Sequence, residues 1–143
     1  MIKSTYATYD GLVNSVSAPV SINAKIQVTD QNASHVKIQT DINMITSFAP
    51  AIADRTIVWV NKTDINFQPD GETLARTYDA QIITKNFGTR TCIAYDYVNE
   101  AINATYYVDK ILVWPIRIVY QTSFENQTYS IEINLKETNI KGF

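Results

Sequence analysis

The stretch Val20–Thr29, VSINAKIQVT, alternates between apolar and polar side chains at every position. Successive side chains of a β-strand point to opposite faces, so strict period two predicts a strand with one buried and one solvated face. The same pattern returns in His35–Met44 after the polar residues Asp30–Ser34. We therefore predict that the two stretches form a long antiparallel hairpin with one wet face.

The composition of the whole chain favours the same kind of structure. Its 143 residues include 19 Ile, 11 Val and 16 Thr against only 4 Leu and 2 Met, together with 9 Tyr, 5 Phe and 2 Trp. Branched and aromatic side chains fit a pleated, half-buried surface better than the crowded turns of a helix. The composition therefore predicts an all-β protein.

Further stretches read as strands, with two ambiguities. Thr56–Val60, TIVWV, is a continuous apolar run, which indicates burial on both faces or an interface on one. Residues 74–85 fit either a strand or a helix, and we favour the strand because Thr77, Ile82 and their neighbours are weak helix formers. Tyr106–Tyr120 is the most apolar stretch and predicts one or two core strands, with Pro115 at an edge or a bulge.

Turn signals separate these strands. Pro69-Asp70-Gly71 and Asn86-Phe87-Gly88 are typical of tight turns, and Glu125–Gln127 precedes a last alternating stretch, Tyr129–Leu135. Residues 99–104 read as a loop, and Ser47–Ala53 as a crossover or a single helical turn. The total is about seven or eight strands, which predicts an antiparallel two-sheet sandwich, jelly-roll or Greek-key like, because each sheet must cover its apolar face.

The domain organisation follows from where the alternation begins. Residues 1–18 show no sustained period, so we interpret them as an N-terminal arm or irregular segment. Residues 19–143 are long enough for one core and read as a single β-sandwich domain. The chain contains no run of about 18 apolar residues, and its first 20 residues lack the apolar core of a secretory signal, so we expect a soluble chain with no membrane span.

Reactive side chains are scarce. The net charge is −2, from 12 Lys+Arg against 14 Asp+Glu, and no basic stripe predicts nucleic-acid binding. The lone cysteine, Cys92, cannot form an intramolecular disulfide and reads as a small buried residue in a strand. The lone histidine, His35, lies in a polar stretch and alternates outward, so a Cys/His or Ser/His/Asp arrangement would need a tertiary coincidence.

The acidic and glycine-rich motifs of known chemistries are also missing. Asp64, Asp70 and Glu72 form the densest acidic segment, but they lack the spacing of a calcium loop. The four glycines are far apart, and no Gly-x-Ser-x-Gly elbow is present. We therefore expect no catalytic residues, no metal site and no cofactor.

Aromatic residues are the strongest binding candidates. They could offer stacking surfaces for sugars or bases, or they could be core residues and cross-strand pairs, which we favour. The candidate residues are Trp59, Tyr95, Tyr97, Tyr106, Tyr107 and Trp114, with Tyr120 beside them. A weaker signal comes from four Asn-x-Ser/Thr sequences, possible glycosylation acceptors, at Asn32, Asn61, Asn103 and Asn126.

A neutral β domain without a reactive centre is expected to work through its surfaces. Our first hypothesis is a non-enzymatic structural subunit in a virion or an extracellular assembly, such as a coat, decoration or tail component of a virus or phage particle. Its partners would be other protein subunits, in a homo-oligomer or a hetero-assembly. The alternative is a carbohydrate- or ligand-binding β-sandwich that uses surface Tyr and Trp.

Overall fold

A computed structural model describes residues 4–14, 20–45, 52–63, 72–99, 102–124 and 127–142. These residues form strands that alternate with short connections. The strands are β1 (Tyr6–Asn14), β2 (Val20–Gln31), β3 (His35–Ile45), β4 (Ile52–Asn61), β5 (Thr73–Ile83), β6 (Thr89–Val98), β7 (Ile102–Asp109), β8 (Pro115–Phe124) and β9 (Gln127–Thr138).

All nine strands belong to one open antiparallel sheet, in the order β4-β3-β2-β1-β9-β8-β7-β6-β5. The all-β prediction is confirmed. The prediction of a two-sheet sandwich with seven or eight strands is wrong, because the strands form a single sheet. Periodicity shows which side of a strand is buried, but not which strand lies beside it.

The N-terminal segment also differs from its prediction. Residues 6–14 are not irregular: β1 lies in the middle of the sheet, with β2 on one side and β9 on the other. Its core-facing positions include Ala7 and Gly11. Because alanine is small and glycine has no side chain, the sequence shows no clear alternation of apolar and polar residues here. At Gly11 an added Cβ would lie 2.2 Å from the backbone oxygen of Glu132, so this closely approached position suits glycine.

Several local predictions can be compared with the strands. The strand interpretation of residues 74–85 is confirmed by β5, and Pro115 opens β8 at a register shift, as expected for a bulge. The turn at Asn86–Gly88 is confirmed, with Gly88 at a φ of 69°. The predicted loop at 99–104 is too long, because β7 begins at Ile102. Predictions for residues 46–51, 64–71 and 125–126 fall outside the described residues.

The two faces of the sheet differ in chemistry. In register across the strands, one face carries Arg55, Asp41 and Lys25 from β4, β3 and β2. The opposite face is apolar, and most of its side chains are buried. The core cluster includes Tyr9, Ile22, Val28, Val36, Ile38, Ile118, Ile133 and Leu135.

The sheet is bent rather than flat. Neighbouring strands are about 4.8 Å apart, so β6 and β9, which are three strands apart, would lie about 14 Å apart in a flat sheet. However, the side-chain nitrogen of Asn86, in the β5–β6 turn, donates to the backbone oxygen of Lys136 in β9 at 3.2 Å. The β5–β6 end of the sheet is therefore bent towards β9.

A buried ion pair holds this bent end. Asp109 is 2% exposed and lies 2.7 Å from the Nε of Arg90. Its other carboxylate oxygen accepts backbone N–H groups of Ile111 and Leu112, both at 2.9 Å. Burial raises the pKa of Asp109, but the hydrogen bonds from Arg90 and these amides lower it more, so the pKa lies below its ordinary value.

The number of strands fixes the relative direction of the two edges. Eight antiparallel pairings separate β4 from β5 in the sheet order. The strand direction reverses at each pairing, so after eight reversals β4 and β5 point the same way. The sheet therefore cannot join its two edges through an antiparallel pairing.

Candidate interaction surface at the edges of the sheet

Strand β4 is an edge strand whose central residues are exposed on both faces. Ile57 and Trp59 lie on the polar face and are 49% and 47% exposed, and Val58 on the apolar face is 46% exposed. Of the two interpretations of Thr56–Val60, burial on both faces or an interface on one, this exposure excludes the first. The edge position explains the exposure, because an edge strand has a neighbour on one side only.

The charged side chains near this edge interact with residues of β3 and β4. The Nε of Arg55 lies 2.7 Å from a carboxylate oxygen of Asp41 in β3, and Gln39 donates to the other oxygen at 2.9 Å. Arg55, then Gln39, lower the pKa of Asp41. The ammonium of Lys37 lies 5.9 Å from the ring centre of Trp59 and covers part of its face. The outer side of Thr56–Val60 is thus an uncharged row.

Strand β5, at the other edge, is built differently. Its pairing with β6 shifts register between Leu74 and Arg76, which is a β-bulge. Arg76 pairs with Asp96 and also lies over the ring of Tyr78, with 4.8 Å from guanidinium to ring centre. Asp79 pairs with Lys110 at 2.9 Å. Bulges and charges are devices that keep edge strands from pairing with other chains.

The aromatic candidate residues are divided between core and surface. Trp114, Tyr97 and Tyr106 are buried, Tyr95 and Tyr107 are half-buried, and Trp59 is exposed. Tyr106 packs edge-on against both Tyr97 and Tyr120, with ring centres 5.7 and 6.3 Å apart, so the interpretation as core and cross-strand pairs is confirmed for these rings.

The hydroxyls of this cluster are also buried. Those of Tyr106 and Tyr120 lie 2.9 Å apart, and burial raises the pKa of both. The carboxyl of Glu72, whose own pKa burial raises, adds to both shifts. These rings stabilise the interior and offer no open face to a ligand.

The remaining candidates show ordinary structural roles. Cys92 is fully buried in β6, as predicted, and burial raises its thiol pKa to about 11. His35 Nδ1 lies 2.7 Å from the hydroxyl of its neighbour Ser34 in an exposed turn. Among the residues that the structure describes, no three His, Cys, Asp or Glu side chains form a group that could hold a metal ion.

The possible glycosylation sites lie on exposed strand ends or edges where they are described. Asn32, Asn61 and Asn103 are exposed, and Asn126 falls outside the described residues. The side-chain oxygen of Asn61 accepts hydrogen bonds from the amide and the hydroxyl of Thr63, at 3.0 and 2.8 Å. Asn32 caps the β2–β3 turn in the same way.

One cleft lies between the β5–β6 turn and strands β8, β9 and β1. Its volume is about 470 Å³, and it is lined by Lys85, Arg117, Lys136 and Asp10 among others. Arg117 already bonds Asn134 at 2.6 Å and pairs with Glu132 at 3.1 Å. Arg117, at least, is therefore compensated by the protein's own side chains.

Comparisons with known proteins give no family. No family model matches the chain, and no curated protein matches it. A solved structure provisionally described as an outer membrane lipoprotein-sorting protein domain from Vibrio parahaemolyticus aligns with 97% of this chain and 86% of that chain, at 8% identity and a TM-score of 0.30. In the described part of the chain, no helix is long and apolar enough to cross a membrane.

Proposed function

We propose that this chain is a non-enzymatic structural subunit that works by protein–protein contacts in a larger assembly. The observation that carries the proposal is the uncharged row Thr56–Val60, which is exposed at an open sheet edge. On composition, we further propose a virus or phage particle as the assembly, in which the chain is a coat, decoration or tail component.

An open edge of this kind favours contact with protein. The outer side of an edge strand presents backbone N–H and C=O groups that another strand can satisfy. Ile57, Val58 and Trp59 add half-exposed apolar surface beside them. Burying a side chain of this size fully stabilises by about 1.5–3 kcal/mol, so an edge contact that covers these three residues has a substantial driving force.

The charge distribution supports the same function. The chain carries a net charge of only −2. Charged side chains beside the β4 edge are compensated within the chain, as Arg55 is by Asp41. Copies of the protein can therefore approach one another without strong electrostatic repulsion.

The test is the oligomeric state of the full chain as a function of concentration, by native mass spectrometry and light scattering after size exclusion. We expect the fraction of the protein that is in oligomers to rise as the concentration increases from micromolar to millimolar. A protein that stays monomeric over this range would contradict the proposal. Removing residues 1–18 is not a usable variant, because it would delete the central strand β1.

The alternative function, a carbohydrate- or ligand-binding module, now depends mainly on Trp59. Tyr97, Tyr106 and Trp114 are buried, and Lys37 lies over one face of the Trp59 ring. A titration with sugars, followed by the fluorescence of a Trp114→Phe variant that keeps only Trp59, would test it. A saturable change, together with a heat of binding in calorimetry that Trp59→Phe abolishes, would favour this alternative.

A further inference from the structure

We propose that the free edge of β4 pairs, antiparallel and about a two-fold axis, with β4 of a second copy, centred on Val58. This inference rests on the proposed function and names the contact surface and the partner. It follows from the uncharged row at the β4 edge, from the direction of the two edge strands and from the register that the side chains allow.

We choose β4 over β5 because the two edge strands differ in regularity and in charge. The register of β4 with β3 runs without interruption from Ile52 to Asn61, so the edge is straight. The register of β5 is broken by a bulge, and its middle carries Arg76 and Asp79. A straight strand with an uncharged central row can accept a new neighbour there, whereas a bulged strand with charges at its middle resists one.

The direction of the edge strands determines which partner strand β4 can take. For two copies to share a continuous apolar face, they must be related by a translation or by a rotation about the normal to the sheet. A translation brings β5 of one copy beside β4 of the other, and these strands are parallel because β4 and β5 point the same way. A two-fold rotation brings β4 beside β4, which gives an antiparallel pairing and a closed dimer.

The register follows from keeping each side chain on its own face. Residues that lie directly opposite each other must have position numbers of the same parity, so the two-fold axis must pass through a residue of β4. Centring on Val58 sets Ile57 opposite Trp59 on the polar face, twice by symmetry. On the apolar face, Val58 lies opposite its own copy and Thr56 lies opposite Val60.

The same register also agrees with the charge near its ends. Arg55 falls opposite Asn61. Centring on Thr56 would instead set Arg55 opposite Ile57, which places a charge against an apolar side chain. The Val58 centre therefore fits the apolar row and Arg55 better than the Thr56 centre does.

Cysteine cross-linking of the full chain tests this geometry. Opposite residues of antiparallel strands have Cα atoms about 4.5–5.5 Å apart, within the range of a disulfide. We expect Val58→Cys to give a covalent dimer under mild oxidation. The natural Cys92 is buried and should not contribute.

Two matched variants on the same face of β4 serve as controls. In the proposed register, Thr56 of one copy is about 13 Å from Thr56 of the other, because four residues separate it from its partner position. Thr56→Cys alone and Val60→Cys alone should therefore give no covalent dimer. A mixture of the two variants should cross-link, because positions 56 and 60 face each other.

A charge at the centre gives an independent measurement. Val58→Lys should raise the dissociation constant of the dimer about 100-fold, since pairing would bury two like charges. Because Val58 is 46% exposed, the variant should keep the circular dichroism spectrum of the unmodified protein, and its melting curve at dilutions where both are monomeric. An unchanged dissociation constant would overturn the inference.

The outcomes separate this inference from the proposed function. An oligomer whose Val58→Cys variant does not cross-link, or that cross-links through Thr56→Cys alone or through Ala80→Cys in β5, overturns the β4 pairing and leaves the structural function in place. A protein that neither cross-links nor associates at any concentration overturns both.

Discussion

The two edges of the sheet, β4 and β5, expose comparable apolar side chains but differ in what surrounds them. Leu74, Tyr78 and Ile83 of β5 are 44%, 37% and 77% exposed, and the central residues of β4 are 46–49% exposed. However, β5 carries a bulge and two charged pairs, whereas the row Thr56–Val60 carries no charge. Exposure of apolar surface therefore does not identify an interface by itself, and the charges and register beside it decide.

The largest effect is expected at the buried pair on the β5 side. Asp109→Asn removes the charge that compensates Arg90 and weakens the anchor of the bent β5–β6 end. Breaking a buried ion pair typically costs about 3 kcal/mol, so we expect a loss of that size in urea unfolding. The rates of amide hydrogen exchange should increase more in β5 and β6 than in β4. A uniform increase over all strands would contradict this separation of the two edges.

The pH dependence of stability should come from the same carboxyl group. The pKa of Asp109 is lowered in the folded protein, so its contribution is fully present above the unfolded value of about 3.9 and is lost as the pH falls through the folded pKa. The difference in stability between the unmodified protein and Asp109→Asn should thus shrink below about pH 4. A difference that persists in strong acid would argue against this origin.

Removing the charged residues of β5 should make the two edges more alike. The double variant Arg76→Thr, Asp79→Thr leaves the net charge unchanged but removes the charged pairs with Asp96 and Lys110. We expect assemblies larger than a dimer to form at roughly tenfold lower concentration, measured by native mass spectrometry. The matched control is Asp10→Thr with Lys136→Thr, on strands far from both edges. Equal association of the two double variants would refute the idea that the charges of β5 prevent it from pairing with another chain.

A smaller effect is expected midway between the edges. The buried hydroxyl of Tyr9 in β1 donates to the backbone oxygen of Pro115 in β8 at 2.7 Å. Tyr9→Phe leaves that oxygen without this donor and should cost about 1 kcal/mol in urea unfolding. The ratio of the amide hydrogen-exchange rates of β4 and β5 should stay the same. A selective loosening of β4 or β5 would show that the two edges depend differently on the centre.

The smallest effect is expected beside β4. The pair between Arg55 and Asp41 is exposed, with Arg55 63% accessible, so solvent screens it. Asp41→Asn should leave the unfolding midpoint within the scatter of replicate curves, in contrast to Asp109→Asn. A large shift would mean that the β4 edge is also held by a charged pair, and the contrast between the edges would disappear.

Local structure was largely predictable from the sequence, and the arrangement of strands was not. The alternation in Val20–Thr29 and Tyr129–Leu135 predicts β2 and β9 because side-chain period is a local property. Strand β1 escaped this signal because Ala7 and Gly11 occupy core-facing positions. Its pairing with β9 joins residues more than a hundred positions apart, which no local pattern records.

The candidate surface was only half visible for the same reason. The apolar run Thr56–Val60 predicts either burial or an interface, and only the position of β4 at the edge of the sheet excludes burial. Among the aromatic residues, composition could not separate exposed Trp59 from buried Trp114. Their difference arises from strand position, since Trp59 lies on the polar face of an edge strand and Trp114 leads into a central one.

The pairing of β1 with β9 has a consequence for how the chain reaches its native state. During synthesis β1 emerges first and can pair with β2, but its other side stays open until β9 has been made. Contacts between distant parts of a chain form slowly. A circular permutant with joined termini and a new opening between β4 and β5 would become a simple meander, in which every strand pairs only with its neighbours in sequence, and it should fold faster than the natural order.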